Sequence, residues 1–120
     1  MDSQTNLQDI KERIKKFCED RDWNQFHNAK ELATALILEA GELLAWFRYK
    51  SEGEVEELMK NNSIKEKIGE EMADIILPLF RIAQMYNIDL SETFEKKMKK
   101  NEEKYSIDKS KGSNKKYNEL

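Results

Sequence analysis

Glu39 and Glu42 lie in LATALILEAGELLAWF, and Glu71 and Asp74 lie in IKEKIGEEMADIILPLF. Within each pair the spacing is i,i+3, so on a helix both carboxylates leave one face, one turn apart. At about 100° per residue, Leu32, Leu36, Leu43 and Trp46 form an apolar stripe that contains Glu39, with Glu42 at its margin. Ile64, Ile68 and Ile75 form a second stripe that contains Glu71, with Asp74 beside it. The two patterns superimpose at a constant offset of 32 residues, Glu39 on Glu71 and Glu42 on Asp74.

Ionised acids are rarely buried without a partner, and neither face carries an obvious basic residue. Salt bridges to lysines of neighbouring helices are the ordinary fate of a single helical glutamate, but two pairs on apolar stripes favour a divalent metal. Hard cations such as Mg²⁺ take oxygen ligands, keep several waters and are usually shared between carboxylates and substrate phosphates. Two acids on each of two facing helices make such a cradle, and a metal held there can polarise a water for attack on phosphorus. A di-iron bundle would need Glu-x-x-His on two helices, and the one histidine, His27, lies outside both.

The elements that must position these acids are helical. Leu7, Ile10, Ile14 and Phe17 are spaced 3, 4, 3, which predicts an amphipathic helix over about 4–20. RDWNQFHN breaks the period. Asn28 with Glu31 reads as a capping box opening a second helix over about 29–48, and Ser63 with Glu66 as another, opening a helix that runs to about Tyr86. SEGEVEELMKNN is a connector with room for a short helix. Pro78 falls inside the helix that bears Glu71 and Asp74 and is expected to kink it. Asp89 with Glu92 opens a last long helix, whose stripe is Phe94, Met98, Asn101 and Tyr105. No strand-like alternation is present. The expected fold is all-α, an antiparallel bundle of four or five helices, as one domain over 1–106 followed by a polar, mobile tail over 107–120.

Composition sets the outer bounds. A chain of 120 residues has room for one core. Its 21 basic and 24 acidic residues give a net charge of −3, which offers no field for nonspecific nucleic-acid binding. Cys18 is the sole cysteine, so no intrachain disulfide forms and a reducing compartment is expected. No apolar run approaches the roughly 20 residues that span a bilayer, and MDSQTNLQDIKER has no signal-peptide core. A cytoplasmic protein is expected, with no membrane partner.

ExxE followed after 28 residues by ExxD, on two helices of an all-α chain, resembles the MazG-like nucleoside triphosphate pyrophosphohydrolases. RDWNQFHNAKELATALILEAGELLAWFRYK is especially similar to the dCTP pyrophosphatase branch, as are GEEMADIIL, KMKKNEEKY and SNKKYNEL. The resemblance runs from about Leu7 to the C-terminus. It implies Mg²⁺-dependent hydrolysis of a nucleoside triphosphate such as dCTP to the monophosphate and pyrophosphate, as sanitation of the nucleotide pool. It implies Glu39, Glu42, Glu71 and Asp74 as metal ligands and catalytic residues, with Lys97, Asn101, Lys104 and Tyr105 of the last helix as substrate contacts. The residues agree in part, since Asn101 interrupts an apolar stripe and the two lysines flank it. Trp23 is placed against the nucleobase with His27 nearby, where stacking is worth roughly 1–3 kcal/mol per base; the plainer reading has Trp23 and Phe26 stapling helices together.

Three positions depart from the dCTP pattern: Tyr49 stands for a Trp after the first acid pair, Ile14 for a His on the first helix, and Pro78 for a Tyr after the second pair. All three fall near the expected base pocket and none touches the metal ligands. A dUTP or broad-specificity enzyme is therefore one alternative. A noncatalytic helical module with structural Mg²⁺ is another. Ile37, Leu44 and Phe47, with Ile76, Leu79 and Phe80, leave more apolar surface than one small neighbouring helix covers. A homodimer or homotetramer is expected, and the resemblance points the same way.

Overall fold

The computed structural model describes residues 1–120 and contains helices and turns but no strand. Two compact units follow one another along the chain, Met1–Asn87 and Ile88–Leu120.

In the first unit, α1 spans Leu7–Asp20. It begins later than the apolar spacing implied, because Asn6 caps it: its side chain accepts from the Asp9 N–H while the Asp9 carboxylate accepts from the Asn6 N–H. A single 3₁₀ turn, Asn24–Phe26, interrupts the path to α2, which spans Ala29–Ala45. Asn28 caps α2 by accepting from the Glu31 N–H at 2.9 Å. At its far end α2 stops short of residue 48. Trp46 donates to both Leu43 and Leu44, and Phe47 donates to Leu44, so the last turn tightens. Tyr49 then takes a positive φ of 66°, which turns the chain away.

Ser51 and Glu54 form a complete capping box for α3, Glu52–Lys60. Next, α4 runs over Asn62–Met85, the longest helix of the chain. Its cap is Asn61, whose side chain accepts from the Ile64 N–H at 3.1 Å, and not the expected Ser63, which already lies inside the helix. The helix continues through Pro78 without interruption. Proline has no N–H, so the Asp74 carbonyl loses its intrahelical donor there.

α4 is the hub of this unit and packs against α1, α2 and α3. Its buried residues are Ile68, Pro78, Arg81 and Ala83, and the other buried side chains are Cys18 of α1 and Leu32 of α2. That is a small core. Ile37, Leu38 and Leu44 of α2 remain 59–66% exposed, and Met72, Ile76 and Leu79 of α4 are exposed as well. Phe47 and Phe80 are half-buried.

The second unit holds α5, Leu90–Lys104, and a single-turn α6, Ile107–Ser110. Asp89 caps α5 by accepting from the Glu92 N–H. A 3₁₀ turn over Tyr117–Glu119 brings the Tyr117 ring edge-on to Tyr105, with centroids 6.1 Å apart. Residues beyond 106 therefore carry local structure of their own.

Candidate active site

Along α2 and α4 the four acids keep the placement their spacing implied. Glu39 and Glu71 are half-buried, while Glu42 and Asp74 are exposed. Packing of α2 on α4 brings Glu39, Glu71 and Asp74 together, one carboxylate oxygen of each lying within 4.8 Å of the others. Glu42 stands outside that trio, yet it is close enough to act on the Glu39 charge.

Electrostatics at this cluster are unrelieved. None of the four acids pairs with a lysine or arginine, since the ion pairs join Lys15, Lys16, Lys30, Lys60 and Lys96 to other acids. Partial burial holds the Glu39 carboxyl above the usual carboxylate range, and the charges of Asp74, Glu71 and Glu42 push it in the same direction. Three oxygens converging from two helices, with no lysine or arginine ion-paired to them, are a donor set suited to a hard divalent ion.

The loop between α1 and α2 is built on aromatic packing. Trp23 meets Phe17 edge-on at 5.5 Å and His27 edge-on at 6.2 Å, and the Arg21 guanidinium sits 3.8 Å over the Phe17 ring. Trp23 is 39% exposed and Phe26 more so. Stapling and exposure thus coexist: Trp23 packs on α1 through Phe17 and still presents surface.

Arg81 of α4 is the feature that reading the residues missed. It is only 2% exposed and donates through Nε to His27 Nδ1 at 3.4 Å, through Nη1 to Gln84 Oε1, and through Nη2 to Asn24 Oδ1. Its partners are all neutral. The Tyr86 hydroxyl accepts from the Ala29 N–H at 3.0 Å and adds a tie between the end of α4 and the start of α2. Burial and the Arg81 charge both hold His27 below its ordinary value. The signal was legible: IILPLFRIA carries one cation in an otherwise apolar run. Its partners, 54 and 57 residues away, were not.

The remaining expected contacts are scattered. Tyr49 is 95% exposed, with the Arg48 guanidinium 5.2 Å over its ring. In the second unit, Asn101 is half-buried on α5, Lys97 is exposed, and Lys104 places its ammonium 4.7 Å over the Tyr117 ring. Tyr105 closes α5 and packs on Tyr117.

Comparison with known proteins supplies the context for this geometry. The profile of the MazG-like family matches residues 34–120. The protein dCTP pyrophosphatase 1 of Rattus norvegicus is 33% identical over 114 residues, covering 95% of this chain and 67% of the relative. The Homo sapiens protein of the same name is 32% identical over 114 residues, covering 95% of this chain and 67% of the relative. Among solved structures, a pyrophosphatase from Archaeoglobus fulgidus superimposes with a TM-score of 0.78 at 29% identity, covering 86% of this chain and 94% of that one.

Proposed function

From the premise that this chain belongs to the MazG-like family and is a nucleoside triphosphate pyrophosphatase, we propose that its substrate is dCTP and its cofactor Mg²⁺. The products are dCMP and pyrophosphate, formed when water cleaves the anhydride between the α and β phosphates. The observation that carries this reading is the carboxylate trio Glu39, Glu71 and Asp74, unpaired by any basic side chain.

Those three acids and Glu42 would hold the metal. Held there, the ion would supply charge neutralisation at the phosphates and acidification of a bound water. The chain's own residues do the rest. The carboxylates, by setting where a cation would sit, would set where the triphosphate lies relative to α2 and α4. Trp23, packed at a T-shaped angle on Phe17, would offer ring surface to the base. His27 lies against Trp23 and contributes a ring nitrogen. Lys97, Asn101, Lys104 and Tyr105 are substrate contacts by resemblance, the lysines suited to phosphate as mobile point charges. Tyr49 is proposed as a rim contact to the base.

One set of positions favours a second substrate. Tyr49, Ile14 and Pro78 replace the residues that the dCTP pattern carries, which supports dUTP or a broader range. Oligomerisation belongs to the same reading: the uncovered Ile37, Leu38, Leu44, Ile76 and Leu79 support a homodimer or homotetramer. No helix is long and apolar enough to cross a membrane, and sanitation of the nucleotide pool would place the protein in the cytoplasm.

Pyrophosphate release from a panel of nucleoside and deoxynucleoside triphosphates, with and without Mg²⁺, tests the proposal. dCTP should give the highest kcat/KM, and chelation should abolish release. Equal turnover of all pyrimidine and purine triphosphates would replace dCTP by the broad reading.

A further inference from the structure

A guanidinium buried to 2% exposure ordinarily has a carboxylate beside it. Arg81 has none. Its three hydrogen-bonded partners are an imidazole and two amides, and two of the three belong to the loop between α1 and α2. The cost of burying the charge is thus met by neutral acceptors, and the loop is held where those acceptors are.

For the two amides the outcome is simple, because either can turn its oxygen toward a donor. For His27 the consequence is chemical. Arginine offers only donors and does not give up a proton in proteins. A ring nitrogen that faces its Nε–H must therefore present a lone pair. With Nδ1 unprotonated, the neutral ring carries its one proton on Nε2. The ring is not sealed off: His27 is half-buried and lies edge-on to Trp23, itself 39% exposed.

We infer that Arg81 is a positioning residue that fixes His27 in the Nε2–H tautomer, making it an obligate hydrogen-bond donor to an acceptor on the bound base. The part that concerns the base rests on the nucleotide reading above; the tautomer does not. Cytosine and uracil both present carbonyl O2 as such an acceptor. Protonation of Nδ1 would set two donors face to face and undo the link between α4 and the loop. The charged group that faces the ring is Arg81 itself, from α4; the Trp23 ring meets it at a T-shaped angle from within its own loop.

His27 is the only histidine of the chain, so its two nitrogens are unambiguous in a ¹⁵N spectrum of the uniformly labelled full-length protein. The expected spectrum at neutral pH has Nδ1 unprotonated and Nε2 protonated. A proton on Nδ1, or an even mixture of tautomers, would overturn the inference with no variant needed. Adding dCMP should shift the Nε2 resonance, and no shift at saturating dCMP would remove the base contact. Arg81→Met keeps length and bulk but removes every donor. It should release His27 to a mixture of tautomers and raise KM for the nucleotide about tenfold, as expected for one lost hydrogen bond, with kcat within about twofold. A changed tautomer with unchanged KM would confine Arg81 to the stability of the loop and refute its role toward substrate. Because the tautomer and dCMP titrations need no turnover, absence of pyrophosphate release would defeat the proposed activity separately.

Discussion

Partial burial and three neighbouring acids press on the Glu39 carboxylate in the same direction, so the site in isolation disfavours the charge that a metal requires. A divalent cation reverses that balance. Glu39→Gln keeps the shape and removes the charge; it should lower kcat by about 10²-fold or more while the helical circular dichroism stays intact. Turnover near that of the native enzyme would sink the metal assignment. His27 makes the opposite case. Burial and Arg81 hold it below its ordinary value of 6.5, so just below 6.5 the unfolded chain binds a proton that the native chain refuses. The His27 contribution to stability therefore falls as pH drops from 6.5 toward the depressed folded value and changes no further below it. Urea midpoints measured across that window should drop in the native protein and drop less in His27→Gln. Parallel curves would show that His27 has no such shift.

α4 carries two acids of the cluster, the buried arginine and the contacts to three other helices, so its start and register matter more than those of any other element. Asn61, two residues ahead of the serine that the capping-box pattern singled out, satisfies the Ile64 N–H. The two candidates differ in sequence by too little to rank, because Asn and Ser are similar caps. Backbone conformation separates them: Asn61 is extended, at φ −80° and ψ 112°, whereas Ser63 is already helical. Asn61→Ala should cost about 1 kcal/mol of unfolding free energy, and Ser63→Ala close to nothing. Equilibrium urea denaturation of both variants checks the difference, and the reverse order would restore Ser63 as the cap.

For the molecule as a whole, two features are in excess: negative charge at the cluster and apolar surface on α2 and α4. A ligand that binds only the native state stabilises it by mass action, about 2.7 kcal/mol at a hundred times its Kd. Millimolar MgCl₂ should therefore raise Tm by more than NaCl of matched ionic strength, because screening alone does not fill a site. Equal shifts from the two salts would mean that the acids are merely a repulsive patch. The apolar excess predicts self-association. Light scattering at micromolar concentration should give a multiple of the 14.2 kDa chain mass, and a monomer with full activity would refute it.

Helices and the order in which they follow were readable from the sequence because each is specified locally. A period near 3.6 marks the buried face, and a polar cap three residues before a free N–H marks the start. The same periodicity put Glu39 and Glu71 within apolar stripes and left Glu42 and Asp74 at their margins, as burial in the folded chain has them. What local pattern could not reach is distance across helices. Only the packing of α2 on α4 separates a trio within 4.8 Å from the fourth acid. Only the packing of the loop between α1 and α2 onto α4 puts Arg81 against Asn24 and His27. Such contacts are set by how side chains interlock between elements remote in sequence, and no spacing along one helix encodes which neighbour it will meet.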